Sequence, residues 1–380
     1  MPLQPLALDK KALADIGAEY GFAKIGPTSG PIPLWGNKRH IIEVAKTTYE
    51  LQVRSLEDEF DLRRELELLS FLEKHAYPSP RPVADRRGRF FLEREGHYLV
   101  LYKMANGTMP TPATLNLQAV NSLGRSLGQL HIVGRGYKKA IDNRFGFERI
   151  FEAYATVRRR IPPYFKKIIR TMDEEIEYLG NYLESKLPKG IIHGTVHCYG
   201  LLARGDDVVS IGDFDAACRG KYVFDLATGV NAACFVDGKY VLERFESMMA
   251  GYESLRTLSL AEWDSFPNEL RFAALRFAVA RLCEFFDGEK DEVHRINDDF
   301  REYLDRLRVL RREKEGGMEG LLMAMATGYD YRKYQRVKGG EFEGEDGVKD
   351  ASDDAEVEEF DAPDEDIDDG LDGDDEDSED

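Results

Sequence analysis

Two short runs of this sequence hold side chains able to do chemistry. The first is His193, Gly194, Thr195, Val196, His197, Cys198, Tyr199, Gly200; the second is Gly212, Asp213, Phe214, Asp215, with Asp213 falling 18 residues after Thr195. Neighbouring carboxylates bind hard cations through oxygen. Asp213 and Asp215 would share one face, and one cation, if a strand ran through both. Taken alone, Asp213 would equally serve to cap a turn. His193, His197 and Cys198 lack a further ligand and the spacing of a zinc site, so they are read as structural.

Both runs need elements to hold them. Asp9 can cap a helix that runs to about Tyr20, where Gly21 supplies the stop. RHIIEVA and TYELQVR are short β-rich runs joined at Lys46 and Thr47, a hairpin without the favoured Asn-Gly turn. Ser55 and Asp58 have the spacing of a capping box. Beyond them Leu62, Leu66, Leu69 and Leu72 recur at helical spacing until Pro78 and Pro80. RFFLE and HYLVLYK read as two further strands around Arg94 to Gly96. From Pro112 helices dominate: Val120, Leu123, Leu127 and Leu130 form a stripe, and periodic segments cover roughly 240–255 and 270–286. One β-like interruption remains, GIIHG followed by LLARGDDVVSIGDFD, turning at Gly205, Asp206 and Asp207. The candidate chemistry lies there.

This order of elements resembles the aminoglycoside phosphotransferase and choline kinase superfamily. GIIHGTVHCYGLL, IGDFDAACRGKYVFDLATGVNAACF, GYESLRTLSLAEW and ALRFAVARL resemble successive blocks of bacterial homoserine kinases, in the same order, across roughly residues 15–310. SLGQLHIVG and YPSPRPV resemble that family too. The resemblance implies an α+β, two-lobed, protein-kinase-like fold. Residues 1–104 would form an N-lobe of small antiparallel sheet and one long helix, and residues 105–338 a mainly helical C-lobe. Residues 339–380, an acidic tail without a counterpart in the family, are expected to be disordered.

For activity, the resemblance implies transfer of a phosphoryl group from ATP, with magnesium, to the hydroxyl of homoserine or a related small metabolite. Several positions needed for it are altered. Where the family has the aspartate that orients and deprotonates the substrate, this chain has Thr195, after His193 and Gly194. A hydroxyl without an accessible pKa near neutrality makes a poor base, a loss of ~10² to 10⁴ in rate. Where the family has a magnesium-binding asparagine there is Gly200. The phosphate-contacting lysine of the sheet is matched by Gln52, which carries no charge, although Lys46 and Arg54 flank it and a shift of two residues changes the assignment. Asp213 matches the magnesium-binding aspartate, and Glu65 the usual partner of the lysine. Tyr102 and Met104 fall at the nucleotide side of the connection between lobes. Asp225 matches a position that ties down the loop backbone. Arg276 and Arg281 share a helix and are read as packing or surface residues before any role in holding a substrate carboxylate. In KIGPTSGPIPLWGNK, Pro27, Pro31 and Pro33 remove backbone donors among Gly26, Gly30 and Gly36, which makes it a weak phosphate loop.

Composition narrows the remaining classes. The chain of 380 residues has a formal charge of -19, but residues 341–380 hold 23 acids against one lysine, so the body is close to neutral and gives no reason to expect nucleic acid. The four cysteines are far apart, which fits a reducing, cytoplasmic setting, and neither a signal peptide nor a membrane span is expected. The tail has little apolar content to offset the entropy of ordering and is read as solvated; if it docks, the nearest basic cluster is Arg332, Lys333, Arg336 and Lys338. Two functional readings follow. A pseudokinase would bind ATP weakly or have no cofactor, and would act through a protein partner. An active kinase would use ATP and magnesium on a small hydroxyl-bearing metabolite, and would need another base.

Overall fold

The computed structural model describes residues 6, 8–34, 37–55, 59–287 and 300–311. Asp58 of the expected capping box, the basic cluster at 332–338 and the acidic tail lie outside them.

Alternation along two strands organises the first lobe. Strands β1 (Thr28–Leu34), β2 (Asn37–Val44), β3 (Thr47–Ser55), β4 (Arg81–Pro82), β5 (Phe91–Arg94) and β6 (His97–Lys103) form an antiparallel sheet, with β3 between β2 and β6. Leu51 and Val53 of β3, with Leu99 and Leu101 of β6, point to one face. There they bury Leu13 and Ile16 of α1 (Lys10–Glu19), which Asp9 caps by accepting from Ala12 N at 2.7 Å. Gln52, Arg54, Val100 and Tyr102 have the opposite parity and face α2 (Glu59–Lys74) and the interior. The β2–β3 hairpin turns at Ala45 and Lys46, both at positive φ, 47° and 67°. This is the mirror-image two-residue turn that matches strand twist, made here with non-glycine residues at a cost of about 1–2 kcal/mol each.

The second lobe is helical: α3 (Leu117–Val133), α4 (Phe147–Arg158), α5 (Lys166–Tyr182), α6 (Tyr222–Ala233), α7 (Leu242–Glu253), α8 (Leu260–Asp287) and α9 (Arg301–Leu310). Val120, Leu123, Leu127 and Leu130 are fully buried, as their spacing predicts. Helix α3 crosses α7 so closely that a Cβ on Gly124 would collide with Met248 O, and one on Gly251 with Asn121 O. Helix α8 begins ten residues before the expected start. Ser259 and Glu262 close a reciprocal box, Ser259 N donating to Glu262 Oε2 at 3.0 Å and Glu262 N to Ser259 Oγ at 3.3 Å, and Pro267 is accommodated inside the helix.

Embedded among these helices are β7 (Lys189–Ile192), paired with β10 (Cys218–Lys221), and the hairpin β8 (Leu201–Arg204) with β9 (Asp207–Ile211). A short hairpin, β11 (Phe235–Val236) and β12 (Lys239–Tyr240), follows α6. No described helix is long and apolar enough to cross a membrane.

Candidate functional site

The loop between β7 and β8 is hung from one buried carboxylate. Asp225, on the first turn of α6, accepts from His193 N at 2.9 Å, from Gly194 N at 2.7 Å and from His131 Nε2 at 3.0 Å. Burial alone would raise this carboxyl, but His131 and the loop amides outweigh it and hold it below the usual range. The donors continue outward without conflict: Arg256 donates to Tyr252 Oη at 2.9 Å, and Tyr252 Oη lies 2.8 Å from His131 Nδ1. Burial lowers the His131 pKa, consistent with a neutral ring that donates through Nε2. His193 is buried and neutral for the same reason, with Nε2 at 2.5 Å from Gly212 O. It is thus a brace between the loop and the end of β9.

A cleft of about 560 Å³ opens beside this loop, lined among others by Arg39, Glu50, Gln52, Glu65, Tyr102, Met104, Gly200 and Asp213. Asp213 follows β9 in the left-handed region, φ 61°, so the strand does not continue. The expected sharing of a strand face by Asp213 and Asp215 therefore fails. Asp213 enters the cleft, whereas the half-buried Asp215 lines a second cavity of about 670 Å³ with Asp61, Arg64, Asp142 and Arg144. Burial pushes the Asp215 carboxyl up to about 6.

The Asp213 carboxylate meets His197, Nε2 lying 3.3 Å from Oδ2. Burial opposes its charge, but His197 wins and the Asp213 pKa is lowered. Gly200 sits directly below: a Cβ there would lie 2.8 Å from Asp213 Oδ2 and 3.3 Å from His197 Cε1. Thr195 is half-buried, and its hydroxyl is turned to Asp213 O at 3.4 Å.

On the N-lobe side, Glu65 pairs with Arg54, not with Gln52. Arg54 Nη1 lies 2.5 Å from Glu65 Oε2, both side chains are buried, and Tyr102 Oη donates to Glu65 Oε1 at 3.2 Å. Gln52 stands one strand step away, accepting from Arg54 Nε at 3.0 Å and donating to Glu50 Oε1 at 2.6 Å. Arg39, across from Gln52 on β2, lies 3.8 Å from Glu50. Glu50 and Asp213 both line the cleft, and burial and the nearby Asp213 raise the Glu50 pKa. The parity of residues 50, 52 and 54 was the signal for this row. Met104 N is spent on Thr48 O at 3.0 Å.

Arg276 is buried in the C-lobe, donates to Gly194 O and lies 4.2 Å over the Phe145 ring, which makes it a support of the loop. Burial lowers its pKa to about 10. Arg281, also buried, lies 3.4 Å from Glu284. Cys198 donates to Ala232 O, and no group of three potential metal-ligating side chains occurs among the described residues.

Comparison with known proteins agrees with this architecture. The sequence profile of the phosphotransferase enzyme family matches residues 34–258. The chain is 30% identical over 227 residues to a homoserine kinase of Caulobacter sp. (strain K31), covering 59% of this chain and 70% of that one. It is also 30% identical over 270 residues to a homoserine kinase of Azorhizobium caulinodans, covering 70% and 81%. In fold it is similar to an amicoumacin kinase in complex with AMP-PNP, Ca2+ and Ami, TM-score 0.59 at 16% identity, covering 81% of this chain and 93% of that one. It is similar also to a microcompartment-associated aminopropanol kinase, TM-score 0.54 at 19% identity, covering 80% and 97%. With an antiparallel N-lobe sheet, a helical C-lobe and a loop suspended from Asp225 between them, this chain belongs to the phosphotransferase enzyme family and has homoserine kinases among its relatives.

Proposed function

We propose that this chain is a homoserine-kinase-like protein that keeps the two-lobed scaffold, has lost efficient phosphotransfer, and acts by binding a protein partner. The observation that carries this reading is the arrangement of Gly200, His197 and Asp213. A side chain at 200 would start 2.8 Å from the Asp213 carboxylate, and His197 stands at 3.3 Å as that carboxylate's neighbour. The magnesium of the family needs hard oxygen ligands. Here Asp213 is the single side-chain oxygen donor of the expected pair, so the residues do not fit the family's metal site. Thr195 offers no base: its hydroxyl is turned to the Asp213 carbonyl at 3.4 Å.

A second reading, an active ATP-dependent kinase acting on the hydroxyl of homoserine or a related small metabolite, has one observation in its favour. Arg39 supplies a cation in the cleft lining beside Gln52, with the buried Arg54–Glu65 pair just behind it, which removes part of the loss implied by Gln52. Phosphoryl transfer depends chiefly on positioning and charge, so a missing base alone need not abolish it. Isothermal titration of ATP with and without magnesium, followed by an ATP-consumption assay with hydroxyl-bearing amino acids, separates the two. The first reading predicts weak or absent binding without turnover; turnover that rises with one amino acid and vanishes in Asp213→Ala would establish the second.

A further inference from the structure

On the side of α2 away from the cleft runs an open groove of about 1690 Å³, and nothing in the phosphotransferase reading uses it. Its floor is apolar: Leu66 is buried, Phe71 and Phe91 are partly buried, Tyr137 packs on Phe71 at 5.3 Å between ring centroids, and Phe90 is 39% exposed. Its rim is basic. Arg63, Lys74, Arg89, Lys138 and Lys139 stand around it, against Glu67 and Glu93. All seven are exposed, and some of the charge is already engaged: Arg63 with Glu59 at 2.7 Å, Lys139 with Glu67 at 2.9 Å, Arg89 with Asp85 at 2.6 Å. Arg89 also lies 3.9 Å from Glu19, so the charge not engaged in these pairs is Lys74 and Lys138 against Glu93. Lysines at the edge of an aromatic floor suit a ligand that is acidic and punctuated by apolar side chains.

The chain carries such a segment. Residues 341–380 hold 23 acids and one lysine, with Phe342, Val348, Val357, Phe360, Ile367 and Leu371 spaced among them. The 29 residues from 312 to 340 separate it from Arg311. At ~3.3 Å per residue they span up to ~96 Å, more than a domain's width, so reach imposes no limit. We propose that the acidic carboxy-terminal segment docks intramolecularly in this groove, its carboxylates on the lysine and arginine rim and an aromatic such as Phe360 against Phe71, Phe90 and Phe91. Groove residues 63, 66, 67, 70, 71 and 74 form one face of α2, and Glu65 projects from another face of the same helix. Occupancy of the groove therefore bears on the element that holds Arg54.

Zero-length carbodiimide coupling of the full chain tests this directly, because it joins lysine amines to carboxylates already in contact. The expected products link Lys74, Lys138 and Lys139 to carboxylates within 341–380, persist on dilution and disappear at high salt, where exposed pairs are screened. With Lys138→Glu and Lys139→Glu together, coupling at the unaltered Lys74 falls by roughly tenfold, the order expected for losing two exposed ion pairs. Hydrogen exchange along residues 63–74 rises in the same variant. Products mapping to lysines elsewhere, products formed only between isotopically light and heavy copies, or unchanged exchange in the variant would overturn the proposal; the second outcome would assign the groove to another copy's tail.

Discussion

Asp225 is the residue on which the site loop most depends, since three donors converge on a fully buried carboxylate. Asp225→Ala leaves His193 N, Gly194 N and His131 without an acceptor, and we expect a loss of about 3–5 kcal/mol in urea unfolding. A loss under 1 kcal/mol would mean that the loop is held by other contacts. At Gly200 the expectation follows from space. Gly200→Asn should destabilise by about 1–3 kcal/mol, because its Cβ meets the Asp213 carboxylate, and less so when His197→Ala gives that carboxylate room to turn. Additive effects in this double-mutant cycle would contradict the packing described. Asp215 gives a pH test with a definite sign. Its folded pKa is raised to about 6 by burial, so its ionisation costs stability as pH rises from 3.8 through 6. Asp215→Asn should therefore stabilise the chain at pH 7 and have no such effect below pH 3.8; equal stability changes at both would remove the burial argument. That Thr195, Gly200 and Asp213 lie together was readable from their spacing on one loop and the strand that follows it. That His197 is the neighbour of Asp213 was not, because a side chain two residues along a loop acquires its partner only through the turn at Asp213.

Elements, more than single side chains, decide which residues meet. Strand β3 shows how far pattern alone carries: its alternation correctly separates Leu51 and Val53 from Gln52 and Arg54, yet alternation is blind to a shift of two residues. What the ion pair between β3 and α2 adds is that Arg54 is the residue paired with Glu65. Removing one partner of this buried pair, as in Arg54→Met, should cost about 3–5 kcal/mol, while replacing both by apolar residues of similar volume should cost much less. Equal losses in the single and double variants, read by chemical denaturation, would contradict that. Helix α8 teaches the complementary lesson: the box of Ser259 and Glu262 was present in the sequence, but the apolar period was read only from about 270, and the helix runs on through Pro267 from Leu260. The crossing of α3 and α7 was not legible, because glycines at 124 and 251 have no periodic signature until two backbones are seen in contact. The same contact predicts that Gly124→Ala forces the helices apart, with a loss of about 1–3 kcal/mol and a lower unfolding midpoint.

At the scale of the whole molecule, the order of helix, small sheet, long helix, connecting strand and helical lobe was readable because each element carries its own period. The site was readable in part, since it is assembled from β3, α2 and the β7–β8 loop, which lie far apart in the chain. The assembled molecule holds the anchor of the loop, Asp213 with Glu50 and Glu65 in the cleft, and a buried Arg54–Glu65 pair; on the proposed reading, Thr195 and Gly200 stand where the base and the second metal ligand would be needed. Losses of that kind at residues that act as a unit do not add simply, so the net outcome has to be measured on the intact chain. The most direct measurement is ATP consumption by the unmodified protein with magnesium and a panel of hydroxyl-bearing amino acids, beside Asp213→Ala. The account predicts a rate no higher than that of Asp213→Ala for every amino acid; turnover that Asp213→Ala abolishes would contradict it and identify an active kinase.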